Sequence, residues 1–419
     1  MQIPSRYYYA LLVVAFFFAL VLRVNLTIIY QGLSSPPNYE AQPDQVEYEQ
    51  LAFSLSVGKG YSAPSGEPTA HRPPGTSLTL FPIYATLGHS FVWGRLWFCF
   101  LSAMTCLATA WLAEQCYGRF VAVISASWLA LYPGHFYYSM HFVSEVPYGL
   151  WLTLACGFTL QALNSKKNIT SLDIVAGILW GITILTRPQM MFAVPIAGSS
   201  LFFSSHANRR RHFAHLIVQA CLLLGVLAPW VIRNAIIMGK PTLSTVGGYT
   251  FWGAHNEIVF HDPQFRGSWV RTSDLINEQH PIKGNEIEKE STMWRYGLES
   301  IERNLTQMPI LIAMKIWRVV SPISDTPNRA VLAAFAAGWL MTMPFVLWGS
   351  VLGVRDGCIA AAVLLIPILA TLTSVVIFYG SDRFRDSASS IFVILAARAM
   401  VELACTRFPR ICSTVKELW

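Results

Sequence analysis

The chain has 419 residues, of which 54% are hydrophobic and 13% charged, and its apolar residues gather in runs of about twenty, the length a helix needs to cross roughly 30 Å of hydrocarbon. Inside lipid every backbone N–H and C=O must be bonded within the segment, and the runs show no period-two alternation, so an all-α integral membrane protein is expected rather than a barrel. The net charge of +7 sits in small clusters between apolar runs, the pattern that orients membrane proteins, which argues against a nucleic-acid partner.

In chain order, the first apolar run, Tyr7 to Ile29, is long enough to span and has no A-x-A-like cleavage site after it. Further spans are expected at 92–114, 119–138, 143–163, 172–186, 188–204, 213–232, 329–352, 357–380 and 386–405, about ten helices in all. Arg6, Arg119, Lys166 with Lys167, Arg209 to Arg211, Arg355, and Arg407, Arg410 and Lys416 fall in alternate connections. That side is therefore read as cytoplasmic, and the two long polar segments, 30–91 and 233–327, as facing the periplasm, exterior or lumen. Residues 77–90 are read as a helix on or dipping into the outer surface, because counting them as a span would invert every later loop. The organisation is thus an N-terminal transmembrane module (1–232) carrying the first outer loop, a large outer loop (233–327), and C-terminal helices with a tail (328–419). Seven of the eight cysteines lie in or beside apolar runs with no C-x-x-C pair, and read as packing residues, neither zinc ligands nor a disulfide framework.

The first outer segment carries the densest polar pattern. From Pro43 to Leu55, Tyr48, Leu51, Ala52 and Leu55 follow i, i+3, i+4, i+7 spacing, an amphipathic interfacial helix. Asp44 stands at its N-cap or first turn with Tyr48 one turn along, so its carboxylate is either a helix cap or an anchored base at the membrane rim. Lys59, in the turn Gly58-Lys59-Gly60, and Arg72, in His71-Arg72-Pro73-Pro74-Gly75, could hold a phosphate or simply contact anionic lipid headgroups.

The runs "PDQVEYEQLAFSLSVGKGYS" and "HRPPGTSLTLFPIYATLG" resemble the first outer loop of the GT-C superfamily of membrane glycosyltransferases, in particular the dolichyl-phosphate-mannose protein mannosyltransferases and the aminoarabinose lipid A transferases. The resemblance implies that Asp44 is the catalytic aspartate of a P-D-E-x-x-Y-like motif, with Tyr48 its tyrosine; Gln45 replaces the usual second acid. "LYPGHFYYSMHFVSEVPYGLWLTLA" is similar to the second outer loop of that family, with Glu145 at its acidic position. "GILWGITILTRPQMMF" is similar to its G-x-x-x-G-x-x-x-L-T-R-P segment, "APWVIRN" and "STVGGYTFWGAHNEI" to the start of its large outer loop, and "FYGSDRFRDSASSIFVILAA" to its R-Y-R-x-P-like lead into a late helix.

Taken individually, Glu145 opens an apolar span at its outer end and either lines a cavity or sits in water. Arg187 interrupts a long apolar stretch before Pro188, where it either snorkels or binds a phosphate. Arg383 and Arg385 flank Phe384 on the outer side against the charge rule; they could grip a lipid phosphate, while Asp382 and Asp386 offer them structural partners. His255, after a Gly-Gly-x-x-x-Trp-Gly run, is a candidate sugar contact. Arg398 and Glu402 read as an i, i+4 pair, and Asn304 heads an outward N-x-T sequon. The expected activity is transfer of a hexose or pentose from a polyprenyl- or dolichyl-phosphate donor to a lipid, glycan or protein hydroxyl, with inversion and with Asp44 as base. Membrane lipids are the remaining partners, and Mg²⁺ or Mn²⁺ bridging phosphate and Glu145 is chemically compatible though not required. A transporter or flippase, and a non-catalytic GT-C-like assembly factor, are the rival readings.

Overall fold

The computed structural model describes residues 4–39, 42–200, 206–323 and 328–407, and they form an all-α protein. Seven of its helices are long and apolar enough to cross a membrane. The chain opens with α1 (Ser5–Tyr30), followed by α2 (Pro43–Ser56) and α3 (Gly75–Leu87) in the first outer segment, then α4 (Phe91–Leu131), the short α5 (Pro133–Phe136), α6 (Glu145–Asn164) and α7 (Ser171–Thr186). After α8 (Ala193–Ser200) and α9 (His206–Met238), the second outer segment holds α10 (Val246–Ala254), α11 (Glu257–His261), α12 (Glu286–Arg303) and α13 (Met308–Val320). It closes with α14 (Arg329–Asp356), α15 (Ile359–Ile377), α16 (Asp382–Ser387) and α17 (Ser389–Arg407).

Several boundaries follow from local chemistry. Gly118 adopts φ +83°, ψ 174° inside α4, a conformation that favours glycine, so the 41 residues are two helices meeting at a reversal beside Arg119. The second ends at Leu131 because Tyr132 precedes Pro133 and is extended, earlier than the expected 138. Arg187 is likewise extended before Pro188, and the expected span over 188–204 is instead a 3₁₀ turn, Pro188–Phe192, followed by the eight-residue α8; 201–205 lie outside the described residues. At thirteen residues α3 is too short to span. Helices α7 and α9 pack closely because Gly177 and Gly181 are four apart on one face: a Cβ at Gly177 would stand 2.7 Å from Leu222 Cβ, and one at Gly181 2.6 Å from Val226 Cβ.

One end of the bundle gathers the basic connections. There Tyr8 donates to Glu114 (2.9 Å), Arg119 pairs with Glu114 (2.9 Å), and Arg398 pairs with Asp356 while lying over Tyr117. Arg398 is thus neutralised across two helices and not by Glu402. Arg410 and Lys416 fall outside the described residues. Six of the cysteines are free thiols, of which Cys99, Cys106 and Cys156 are buried and Cys221 is exposed, whereas Cys405 is disulfide-bonded and not the packing thiol expected. Asn304 is 6% exposed with its amide donating to Glu257 and to the Ser300 carbonyl, so the folded sequon is closed to modification. Arg23, inside α1 and overlooked in the sequence, is fully buried and donates to Ser102 Oγ (2.7 Å) and the Ala19 and Ala130 carbonyls.

Candidate active site

At the other end of the bundle, where the two outer segments meet the helices, three carboxylates and three guanidiniums converge. Asp44 lies in the first turn of α2, whose N-cap is Gln42 with no side-chain cap bond. Its carboxylate is turned toward arginines from distant segments: Arg72 Nη2 reaches Oδ1 at 2.8 Å and Arg383 Nη2 reaches Oδ2 at 3.1 Å. Arg383 Nε also donates to Glu145 Oε1 at 2.7 Å, so one guanidinium joins two carboxylates a hundred residues apart in sequence. Arg72 Nε pairs with Glu47, which sits three residues after Asp44 on the same side of α2.

Arg187 completes the group. Its Nη1 stands 3.3 Å from Glu145 Oε1 but is buried and makes no aligned hydrogen bond, and its guanidinium lies over the Tyr148 and Phe384 rings. Arg72 lies over Tyr48. Glu145 is 3% exposed, so it is an internal, paired acid and not one in water. Burial would push the Asp44 carboxyl up, yet Arg72, Arg383 and Arg187 outweigh it and hold the group well below the usual carboxylate range. The Arg383 guanidinium, destabilised by burial, is in turn held firmly charged by Glu145 and Asp44.

Of the residues singled out in the sequence, Asp44, Tyr48, Arg72, Glu145, Arg187 and Arg383 come together; Lys59, His255 and Arg385 do not. Lys59 is exposed at its glycine turn. His255 is 1% exposed, with Nδ1 on the Phe251 carbonyl (2.9 Å) and Nε2 on Lys315 Nζ (2.8 Å), leaving neither nitrogen for a sugar. Arg385 is 1% exposed; it pairs with Asp386 at 2.9 Å, donates to the Val319 and Ser321 carbonyls and lies over Trp339, so it braces α16. Gln45, in place of an acid, is buried with Nε2 on the Asn38 carbonyl (2.9 Å) and Oε1 3.3 Å from His141 Nδ1. Among the described residues no three metal-ligating side chains gather, and both Asp44 and Glu145 face guanidiniums. The groups present therefore fit a divalent ion poorly as they stand.

The two outer segments are tied to each other. Glu286 of α12 accepts from Thr69 Oγ1 (2.7 Å), Ala70 N (3.0 Å) and Thr245 Oγ1 (2.5 Å), and Arg233 donates to the Tyr61 and Thr69 carbonyls. Gly380, just before α16, donates to the Gly267 carbonyl at 2.9 Å, tying the large outer loop to the turn that presents Arg383.

Residues 71–232 match the family model described as dolichyl-phosphate-mannose-protein mannosyltransferase; the matched stretch contains Arg72, Glu145 and Arg187. No curated protein matches. Among solved structures, the oligosaccharyltransferase AglB from Archaeoglobus fulgidus, in complex with an inhibitory peptide and a dolichol-phosphate, is similar over 100% of this chain and 52% of its own, at 14% identity and a TM-score of 0.61. The same enzyme tethered to an acceptor peptide gives 13% identity and a TM-score of 0.58, over 98% of this chain and 51% of its own. ArnT from Cupriavidus metallidurans bound to undecaprenyl phosphate is aligned over 94% of this chain and 80% of its own, at 12% identity and a TM-score of 0.42. The chain thus spans about half the length of the archaeal oligosaccharyltransferase it matches and shares its fold, in line with the GT-C resemblance of the sequence.

Proposed function

We propose that the chain is a glycosyltransferase that moves a sugar from a polyprenyl-phosphate carrier to a hydroxyl acceptor at the non-cytoplasmic face of a membrane. The observation that carries this reading is the Asp44–Arg383–Glu145 bridge, flanked by Arg72 and Arg187, at the end of the bundle opposite the basic connections. The positive-inside rule makes that end exterior, periplasmic or lumenal. Three carboxylates balance three guanidiniums, so an anionic donor enters a site where Arg187 Nη1 still has no hydrogen-bond partner. A carrier phosphodiester bears one charge and leaves as a phosphomonoester with a second. Guanidiniums already in place stabilise that developing charge without reorganising.

The acceptor oxygen attacks the anomeric carbon as the bond to the carrier phosphate breaks, which inverts the centre. Asp44, held strongly ionised, is a weak base. It suits a late proton transfer, because the acceptor oxygen becomes strongly acidic once it bonds to carbon. General-base assistance of this kind contributes roughly 10²–10⁴-fold, and charge stabilisation on the leaving group as much or more. The test is transfer from radiolabelled polyprenyl-phosphate sugars to a host membrane extract by purified wild type and Asp44→Asn in liposomes. Transfer by the wild type, and its loss in a folded variant, is the expected result. Equal activity in the two would sink the role of Asp44, and no transfer by either from any donor in the panel would count against the enzyme reading itself.

A further inference from the structure

The reaction above leaves one buried nitrogen beside the charge cluster without a task. His141 lies in the turn before α6, four residues ahead of Glu145, is 1% exposed, and has a buried Nε2 with no hydrogen-bond partner. Arg95 Nε and Asp382 Oδ2 are also buried and unpaired, but Arg95 bonds the Met140 and Ser35 carbonyls through its other nitrogens and Asp382 adjoins Arg383 in the chain.

Gln45 decides which nitrogen is bare. Its amide Nε2 donates to the Asn38 carbonyl at 2.9 Å, so its Oε1 must be the atom facing His141, 3.3 Å from Nδ1. An oxygen acceptor there requires the proton on Nδ1, which leaves Nε2 as a lone pair. Burial first, and then the positive charges of Arg95 and Arg383, push the imidazole down to about 3, while Glu145 pulls the other way. The ring is therefore neutral at any physiological pH and can only accept at Nε2. A buried acceptor without a partner costs free energy that a ligand donor would recover. Phosphate and carboxylate oxygens have nothing to donate to it, whereas a sugar hydroxyl does.

We propose that His141 Nε2, oriented by Gln45, accepts a hydrogen bond from a hydroxyl of the donor sugar and so acts as a specificity-determining residue. The inference rests on the glycosyl-transfer reading. It also gives Gln45 a purpose in the place of the second acid: a carboxylate there would favour a charged imidazolium, which presents a donor at Nε2 instead of an acceptor.

The test separates the sugar from its carrier. Equilibrium binding to the full chain in nanodiscs is measured with bare polyprenyl phosphate and with polyprenyl-phosphate mannose, glucose, galactose and N-acetylglucosamine, for wild type, His141→Leu and His141→Gln. Wild type is expected to bind at least one sugar-bearing probe more tightly than the bare carrier. His141→Leu should lose roughly ten-fold of that sugar-dependent increment, the size of one neutral hydrogen bond, with bare-carrier affinity unchanged, and His141→Gln should restore part of it. If His141→Leu weakens bare and sugar-bearing carriers equally, or neither, His141 is only a packing residue and the proposal is overturned while the phosphate site stands. If no sugar tightens binding to wild type, the proposal is also overturned. Failure of wild type to bind even the bare carrier would overturn the glycosyl-transfer reading beneath it.

Discussion

Two arginines separated by a single phenylalanine do different work, and their substitution should divide cleanly. Arg383 joins Asp44 to Glu145, so Arg383→Gln should lower transfer by roughly 10²–10³-fold, as losing a preorganised donor does, with modest change in thermal unfolding because Arg72 and Arg187 still face the two acids. Arg385→Gln should do the reverse. It leaves the buried Asp386 carboxylate without its cation and with only the Tyr132 hydroxyl donating to it at 2.7 Å, a loss of about 3–5 kcal/mol, and the melting temperature in detergent should fall before turnover per folded molecule does; equal effects in both assays would refute this division. The depressed Asp44 carboxyl also fixes a pH dependence. Its stabilising charge is fully present above the unfolded value of about 4 and is lost only as pH falls through the lower folded one. Any acid limb in the wild-type rate between pH 5 and 7 must then come from another group. Arg72→Gln removes one restraining guanidinium and should move the Asp44 limb upward; a pH–rate profile unchanged in that variant would contradict the assignment. Six of these residues were legible because an ionisable side chain in an apolar chain stands out. Their partners were not, since sequence spacing does not tell that Arg385 is held by its neighbour Asp386 while Arg383 reaches 339 positions away to Asp44. Glu47 was readable, three residues from Asp44 on one face of α2, but the contact between Gln45 and His141 depends on how the second outer loop folds back.

Helices that run uninterrupted through lipid announce themselves by hydropathy, so α1, α6, α9, α14, α15 and α17 fall close to their expected positions. The interrupted ones depend on single backbone angles that apolar content hides: the reversal at Gly118, and the extended residues before Pro133 and Pro188. Those breaks are useful to the site. The stop at Thr186 leaves Arg187 outside the helix, and α3 is packed against that stop through Gly75, where a Cβ would meet Thr186 N at 2.6 Å. Gly75→Val should therefore push α3 away from the end of α7 and separate Arg72 from Asp44, reducing transfer at least ten-fold at near-normal expression; wild-type turnover in that variant would show that the α3–α7 contact does not set the site. A second test concerns α13. Burial lowers Lys315 to about 7, below the unfolded value of about 10.4, so the unfolded chain binds the extra proton between those values and stability rises with pH across that window. The melting temperature should climb from pH 7 to 9 in wild type and be flat in Lys315→Met. A climb of the same size in both would locate the titration elsewhere.

The sequence presents the two outer segments as separate polar stretches on either side of a membrane module, and nothing in their composition says that they touch. In the folded chain they form one cover: the Glu286 carboxylate clasps Thr69, Ala70 and Thr245, Thr245 N donates to the Ala70 carbonyl at 2.9 Å, and Arg233 spans Tyr61 and Thr69. A further tie from Gly267 to Gly380 extends the cover to the lead of α16, so the first outer segment, with Asp44 and Arg72, and the turn that presents Arg383 are joined through the large outer loop. Such a cover would limit water at the proposed reacting centre and hold Arg72 and Arg383 near Asp44; the large outer segment has its own apolar core around Trp252, Phe260 and Met293, but these hydrogen bonds tie it to the first outer segment, a seam that local opening would part. Glu286→Ala removes three bonds to a charged acceptor, each worth about 1.5–3 kcal/mol and not additive. Hydrogen exchange should then accelerate together in 57–73 and in 240–300, while α4, α6 and α17 keep their protection, and transfer should fall with hydrolysis of the donor by water rising in its place. Exchange that quickens in only one of the two segments would mean that they fold independently and that the cover is not a single moving part.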